Sequence, residues 1–289
     1  MKIKVAHESR DVLGEGPLWS RNHEALYWVD IDRQFLQCWS LKTKKKEIWT
    51  LPTKIGSFAF CKNGDFLVAL QNHIALFNPN NGKLDYVAEI TSSGESIRFN
   101  DGKCDRQGRF WVGTIDEENP QMKRGSLYCL DTNYNFRKVL SDIGISNGLG
   151  WSPDNAVFYY TDSFEKTIWA FDYDAVTGKI GNKREFVKIQ KDFVPDGLTV
   201  DSDGYIWSAK WDGWKVVRYN PEGFIDLEIR LSVQRPTSCT FGTNSYKTLF
   251  ITSAKVGLSH EEQKRQPLAG SIFMVEVNIK GIPEPMFGT

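Results

Sequence analysis

Six times along the chain one phrase recurs, in its full form a small or acidic residue, a glycine, a short apolar strand, a polar turn and an aromatic-rich strand. The copies read GEGPLWS followed by ALYWVDI from Gly14, KIGSFAFCKNGDFLVAL from Lys54, and FNDGKCDRQGRFWVGT from Phe99. They continue as SNGLGWSPDNAVFYYTDS from Ser146, PDGLTVDSDGYIWSAKW from Pro195, and RPTSCTFGTNSYKTLFITSA from Arg235, where the opening glycine is lost. Each is followed by a third apolar stretch such as FLQCWSL or GSIFMVEV, and most by a fourth such as KEIWTLP or REFVKI. A repeat of roughly 40–50 residues with four strands is the signature of a propeller blade. The chain is therefore expected to be all-β, a six-bladed β-propeller forming one domain over residues 1–289. The extra strand Lys2 to His7 is expected to close the last blade, which removes an open sheet edge. A β-sandwich gives no reason for six copies at this spacing.

Local signals agree. Asn63-Gly64, Asn81-Gly82, Gln107-Gly108, Asp203-Gly204 and Glu222-Gly223 are hairpin turn pairs. Helical character is confined to Ser259–Arg265, enough for one or two turns.

Composition removes several classes of function. Charge is balanced, 36 basic against 36 acidic residues, and the cluster Lys42 to Lys46 reads as a solvated turn, so no nucleic-acid partner is expected. No stretch reaches about 18 apolar residues, so no membrane span is expected. The opening residues lack the apolar core of a signal peptide. Cys38, Cys61, Cys104, Cys129 and Cys239 form no CxxC pair and read as reduced thiols of a cytoplasmic protein. His7, His23, His73 and His260 share no metal-ligand spacing.

The residue before the shared glycine falls at the same end of the first strand in every copy. These are Glu15, Ile55, Asp101, Asn147 and Asp196, with Pro236 or Thr237 in the sixth. In a propeller the first strands line a central channel, so the oxygen donors among them would converge there. Such a set suits one divalent cation. Taken singly, each Asp-Gly or Asn-Gly pair is better explained as turn chemistry; recurrence in register reverses the balance toward the ligand reading.

The motifs GEGPLW, RFNDGK, ISNGLGWS and VPDGLTVD, in this order, with the tail TSAKVGLSHEEQKRQPLAGSIF, resemble the regucalcin (senescence marker protein)/gluconolactonase family over essentially the whole chain. The resemblance implies a metal held by Glu15, Asn147 and Asp196, and substrate contacts at Arg98 and Asn100. Asp101 then ranks below the other three as a ligand. Where animal members carry a Glu, this chain has Gln121, with Glu117 and Glu118 as alternatives in the same loop.

What the resemblance implies is a metal-dependent lactonase turning an aldonolactone into its aldonic acid. Calcium, magnesium, manganese, iron(II) and zinc all remain open as the cation. Asp196 is the candidate general base, Arg98 the group that steadies an oxyanion or a sugar hydroxyl, and Asn100 and Gln121 the readers of hydroxyls. The rival readings are a metalloesterase or phosphotriesterase, a calcium-binding regulator without catalysis, and an interaction propeller of the YWTD type. A monomer acting on a small molecule is expected.

Overall fold

The computed structural model describes residues 1–91 and 96–288. They fold into six four-stranded antiparallel sheets. Blade 1 spans residues 14–50, blade 2 residues 55–89, blade 3 residues 97–143, blade 4 residues 146–188 and blade 5 residues 194–230. Blade 6 takes three strands from residues 236–276, and its fourth is Ile3–His7, which pairs with Ile272–Glu276. Six successive meanders of this kind make the six-bladed β-propeller that the repeat predicts.

The strands follow from burial. Second strands such as Ala25–Asp30, Phe66–Leu70, Phe110–Asp116 and Thr248–Ser253 are buried along their whole length. A strand covered on both faces reads as a continuous apolar run and needs no alternation. Fourth strands, such as Lys46–Thr50 and Ile225–Arg230, are largely half-exposed or exposed and carry the charge. At all five turn pairs picked out in the sequence the glycine has positive φ, between 74° and 88°. The short helix His260–Arg265 sits between the second and third strands of blade 6. Its start is a reciprocal cap: Ser259 Oγ accepts from the Glu262 amide, and Glu262 accepts from the Ser259 amide.

The chain groups into two compact units. One comprises Met1–Thr50 and Ile189–Pro283, hence blades 1, 5 and 6; the other comprises Leu51–Lys188 and Glu284–Thr289, hence blades 2, 3 and 4. In the first, Trp19, Trp28, Trp207, Phe241 and Phe250 share a buried core, with Trp19 stacked on Phe250 at 5.4 Å. In the second, one core gathers Phe99, Phe110 and Leu67 with Phe287, and another packs Trp111 and Trp151 around Phe158. All five cysteines are buried and free, and burial pushes the Cys61 and Cys129 thiols up to about 12. No helix among the described residues is long and apolar enough to cross a membrane.

Candidate functional site

Every first strand breaks register with its second strand at the same step. The ladder shifts between Glu15 and Leu18, Ile55 and Ser57, Phe99 and Gly102, Asn147 and Leu149, Pro195 and Leu198, and Pro236 and Cys239. A bulge adds unpaired backbone and turns a side chain away from the regular pleat, a feature common beside functional sites. Counted back from the first residue paired after each shift, the equivalent positions are Gly16, Ile55, Asn100, Asn147, Asp196 and Thr237. The register thus places Asn100 in the series where the shared glycine had pointed to Asp101. Glu15 stands one residue earlier than its counterparts, and Gly16 takes up the difference with φ of +53°.

In the unit of blades 2, 3 and 4 these side chains form one directional run. Arg98 is buried and donates through Nε to Glu117 Oε1 at 2.5 Å, and through Nη1 to the Phe99 carbonyl at 2.8 Å and to Asn100 Oδ1 at 2.7 Å. Asn100 Nδ2 donates to the Ser146 carbonyl at 2.7 Å and to Asn147 Oδ1 at 2.8 Å. Asn147 Nδ2 in turn donates to Ser163 Oγ at 2.9 Å. Both amides are only 8% and 6% exposed, so these bonds, rather than water, fix their orientation.

Glu117 also receives Lys54 Nζ, at 3.0 and 3.2 Å from its two oxygens. Partial burial alone would raise this carboxyl, but Arg98 and Lys54 together hold it below the usual range. Gln121 lies elsewhere: it is exposed on the 3-10 turn Pro120–Met122, its amide 3.4 Å from Asn119 Oδ1. Asp101, beside Asn100, takes the Gly102 amide at 2.8 Å. Burial pushes its carboxyl up to about 6 against the pull of Lys103.

The unit of blades 1, 5 and 6 supplies Glu15 and Asp196, 7% and 6% exposed. Glu15 Oε2 accepts from the Gly16 amide at 2.8 Å. Thr237 Oγ1 donates to the carbonyl of Gly14, the residue before Glu15, and bonds Thr252 Oγ1 at 2.8 Å. The relation of Thr237 to Gly14 repeats that of Asn100 to Ser146: a bulge side chain of one blade holds the backbone just ahead of the key position in its neighbour. The sequence did not single out Lys210. It pairs with Pro195 across the ladder, is wholly buried, and donates to Ser208 Oγ at 2.8 Å. Burial pushes its ammonium down to about 7, partly offset by Cys239 and Asp196.

Among the described residues no group of three or more His, Cys, Asp or Glu is placed to hold a metal ion. The expected set is of another kind, two carboxylates and an amide carbonyl. These are hard oxygen donors whose net charge of −2 fits a divalent cation. Asn147 fits this chemistry in detail. Its Oδ1 uses one lone pair on Asn100 and keeps a second, while its Nδ2 is turned to Ser163.

The family model described as SMP-30/Gluconolactonase/LRE-like region matches residues 13–255. Regucalcin from Gallus gallus is 36% identical over 290 residues, covering 98% of this chain and 97% of its own. The crystal structure of a calcium-binding protein, regucalcin, from Agrobacterium tumefaciens superposes with a TM-score of 0.94 at 27% identity, covering 98% of this chain and 96% of that one. A gluconolactonase from Xanthomonas campestris superposes with a TM-score of 0.76, covering 95% and 89%; at 18% identity this likeness speaks for the fold alone.

Proposed function

Because the chain belongs to the SMP-30/gluconolactonase/LRE-like family, we propose that it hydrolyses a sugar lactone to the aldonic acid with one divalent cation as cofactor. The observation that carries this reading is the shared bulge, which sets Asn147 and Asp196 at one equivalent step of their blades and Glu15 one residue before it. These three residues would hold the cation; calcium, magnesium, manganese, iron(II) and zinc all accept such donors. When bound, the cation supplies a polarised lactone carbonyl and a more acidic attacking water.

The chain's own groups do the rest. Asp196 takes the water's proton as general base. Arg98 has committed Nε and Nη1, and among the described residues its Nη2 takes no hydrogen bond, so Nη2 is the donor for the developing oxyanion. Asn100 has both amide hydrogens engaged, so it reads a substrate hydroxyl only by accepting from it. Gln121, exposed, is left for the outer hydroxyls. A lactone is a reactive ester and needs no covalent nucleophile.

A pH-indicator assay over a panel of aldonolactones, on chelated protein with each metal restored in turn, tests the reading. Metal-dependent turnover of one or two lactones supports it. Absence of turnover with every metal, on folded protein, overturns it. Turnover retained in Asp196→Ala would sink the mechanism while leaving the reaction class standing. The second reading is a calcium-binding propeller without catalysis, favoured by the likeness to the calcium-binding protein from Agrobacterium tumefaciens. Tight calcium binding without lactone turnover would select it.

A further inference from the structure

We propose that Ser163 is a positioning residue for the cation: by accepting from Asn147 Nδ2 it keeps the carbonyl oxygen of Asn147 turned toward the metal. The inference rests on the metal-dependent reading above and goes beyond it, because it assigns the orientation of a ligand to a side chain that touches neither cation nor substrate.

An amide side chain has two faces that differ only in which atom is presented, and a flip exchanges an oxygen donor for an NH2 group that repels a cation. Here the orientation follows from groups that cannot change roles. A guanidinium only donates, so Asn100 must present Oδ1 to Arg98 Nη1, 2.7 Å away. A peptide carbonyl only accepts, so Asn100 must present Nδ2 to the Ser146 carbonyl, 2.7 Å away. With Nδ2 facing that way, Asn147 must meet it with Oδ1, at 2.8 Å. Its Nδ2 is then directed to the opposite side, where Ser163 Oγ stands at 2.9 Å. Asn100 fixes one end of the Asn147 amide and Ser163 fixes the other.

Ser163 is placed for this by a rigid turn. Asp162, buried beside it, accepts from the amides of Gly144, Ile145, Phe164 and Glu165 at 3.0 to 3.3 Å. The Ser163 amide bonds the Ile145 carbonyl at 3.0 Å. The segment before Asn147 and the turn carrying Ser163 are thus tied by one carboxylate and one backbone bond. Ser163 as a whole is 3% exposed, so water does not readily replace its hydroxyl when that is removed. An outer partner of a ligand typically governs metal affinity by about 10–100-fold.

The experiment is a calorimetric titration of the full, chelated chain with Ca2+, Mg2+, Mn2+, Fe2+ and Zn2+, followed by variants with whichever cation the wild type binds most tightly. Ser163→Ala is expected to weaken binding about ten-fold, the metal-free protein remaining folded with its melting temperature lowered by no more than about 6 °C. Ser163→Thr keeps the acceptor and is expected to stay within about two-fold. In the Asn147→Asp background either face of the side chain offers oxygen, so Ser163→Ala is expected to cost less than about two-fold there. Unchanged affinity in Ser163→Ala overturns the proposal, and so does a loss that persists undiminished in the Asn147→Asp background. A wild type that binds none of the five cations overturns the metal reading itself, a result distinct from either.

Discussion

Asn100 Nδ2 lies 2.8 Å from Asn147 Oδ1. A residue expected to contact substrate is therefore bonded directly to a residue expected to bind metal, and the two roles share one amide–amide contact. Asn100→Asp keeps the shape but removes the donor, leaving a carboxylate facing the Ser146 carbonyl and Asn147 Oδ1. We expect kcat/KM for the preferred lactone to fall more than about 100-fold, with the circular dichroism spectrum unchanged.

Glu117 and Gln121 separate by the same logic. Glu117→Gln removes the charge that holds Arg98, and kcat/KM is expected to drop about ten-fold. Gln121→Ala, in an exposed side chain, is expected to stay within about two-fold on the preferred lactone and to act, if anywhere, on the ranking of lactones. The measurement is steady-state kinetics of both variants over the same panel. The reverse order would assign the hydroxyl-reading role to the 3-10 turn.

Lys210 gives a pH signature in stability. Its ammonium is held down to about 7, mainly by burial, against an ordinary value of 10.5. Between those values the unfolded chain binds the extra proton and the folded one does not, so this site adds stability as pH rises through the window. Below about pH 7 the full cost of the buried charge applies. Lys210→Met is therefore expected to raise the stability of the metal-free protein at pH 7 by about 2 kcal/mol, or ~4–8 °C in Tm. The gain should shrink toward zero near pH 10, as thermal melts across that range would record.

Gly56 is a packing requirement of blade 2. A Cβ there would lie 2.5 Å from the Phe99 carbonyl oxygen and 2.7 Å from that of Asn100. Gly56→Ala must push blade 3's first strand away at the residue that orients Asn147. The expected loss is about 2 kcal/mol in stability, with a matching loss of metal affinity. A melt and a metal titration on the same sample check both.

The blades were legible because a period of about 40–50 residues and continuous apolar second strands are strong signals in a single chain. The bulge was half legible. Aligning copies on the shared glycine put Asp101 in the series, but in blade 3 two residues are left unpaired and Gly102 is already back in the ladder, so Asn100 holds the equivalent place. Glu15 shows the opposite offset for the same reason. In the loop from Glu117 to Arg124 no periodicity sets the register, and sequence spacing alone did not decide which side chain turns back to Arg98. Ser163 carries no motif; its partner is 16 residues away and meets it only once the hairpin of blade 4 has formed.

The pairing of Ile3 with Val275 has a consequence for how this chain is made. The strand Ile3–His7 is synthesised well before its partner, and its place does not exist until Ile272–Glu276 has followed it. While the five blades between them are made, one ready strand has no sheet to join, the situation in which chains pair with the wrong neighbour. Closure of blade 6 is therefore a long-range event that waits on every blade between its two strands.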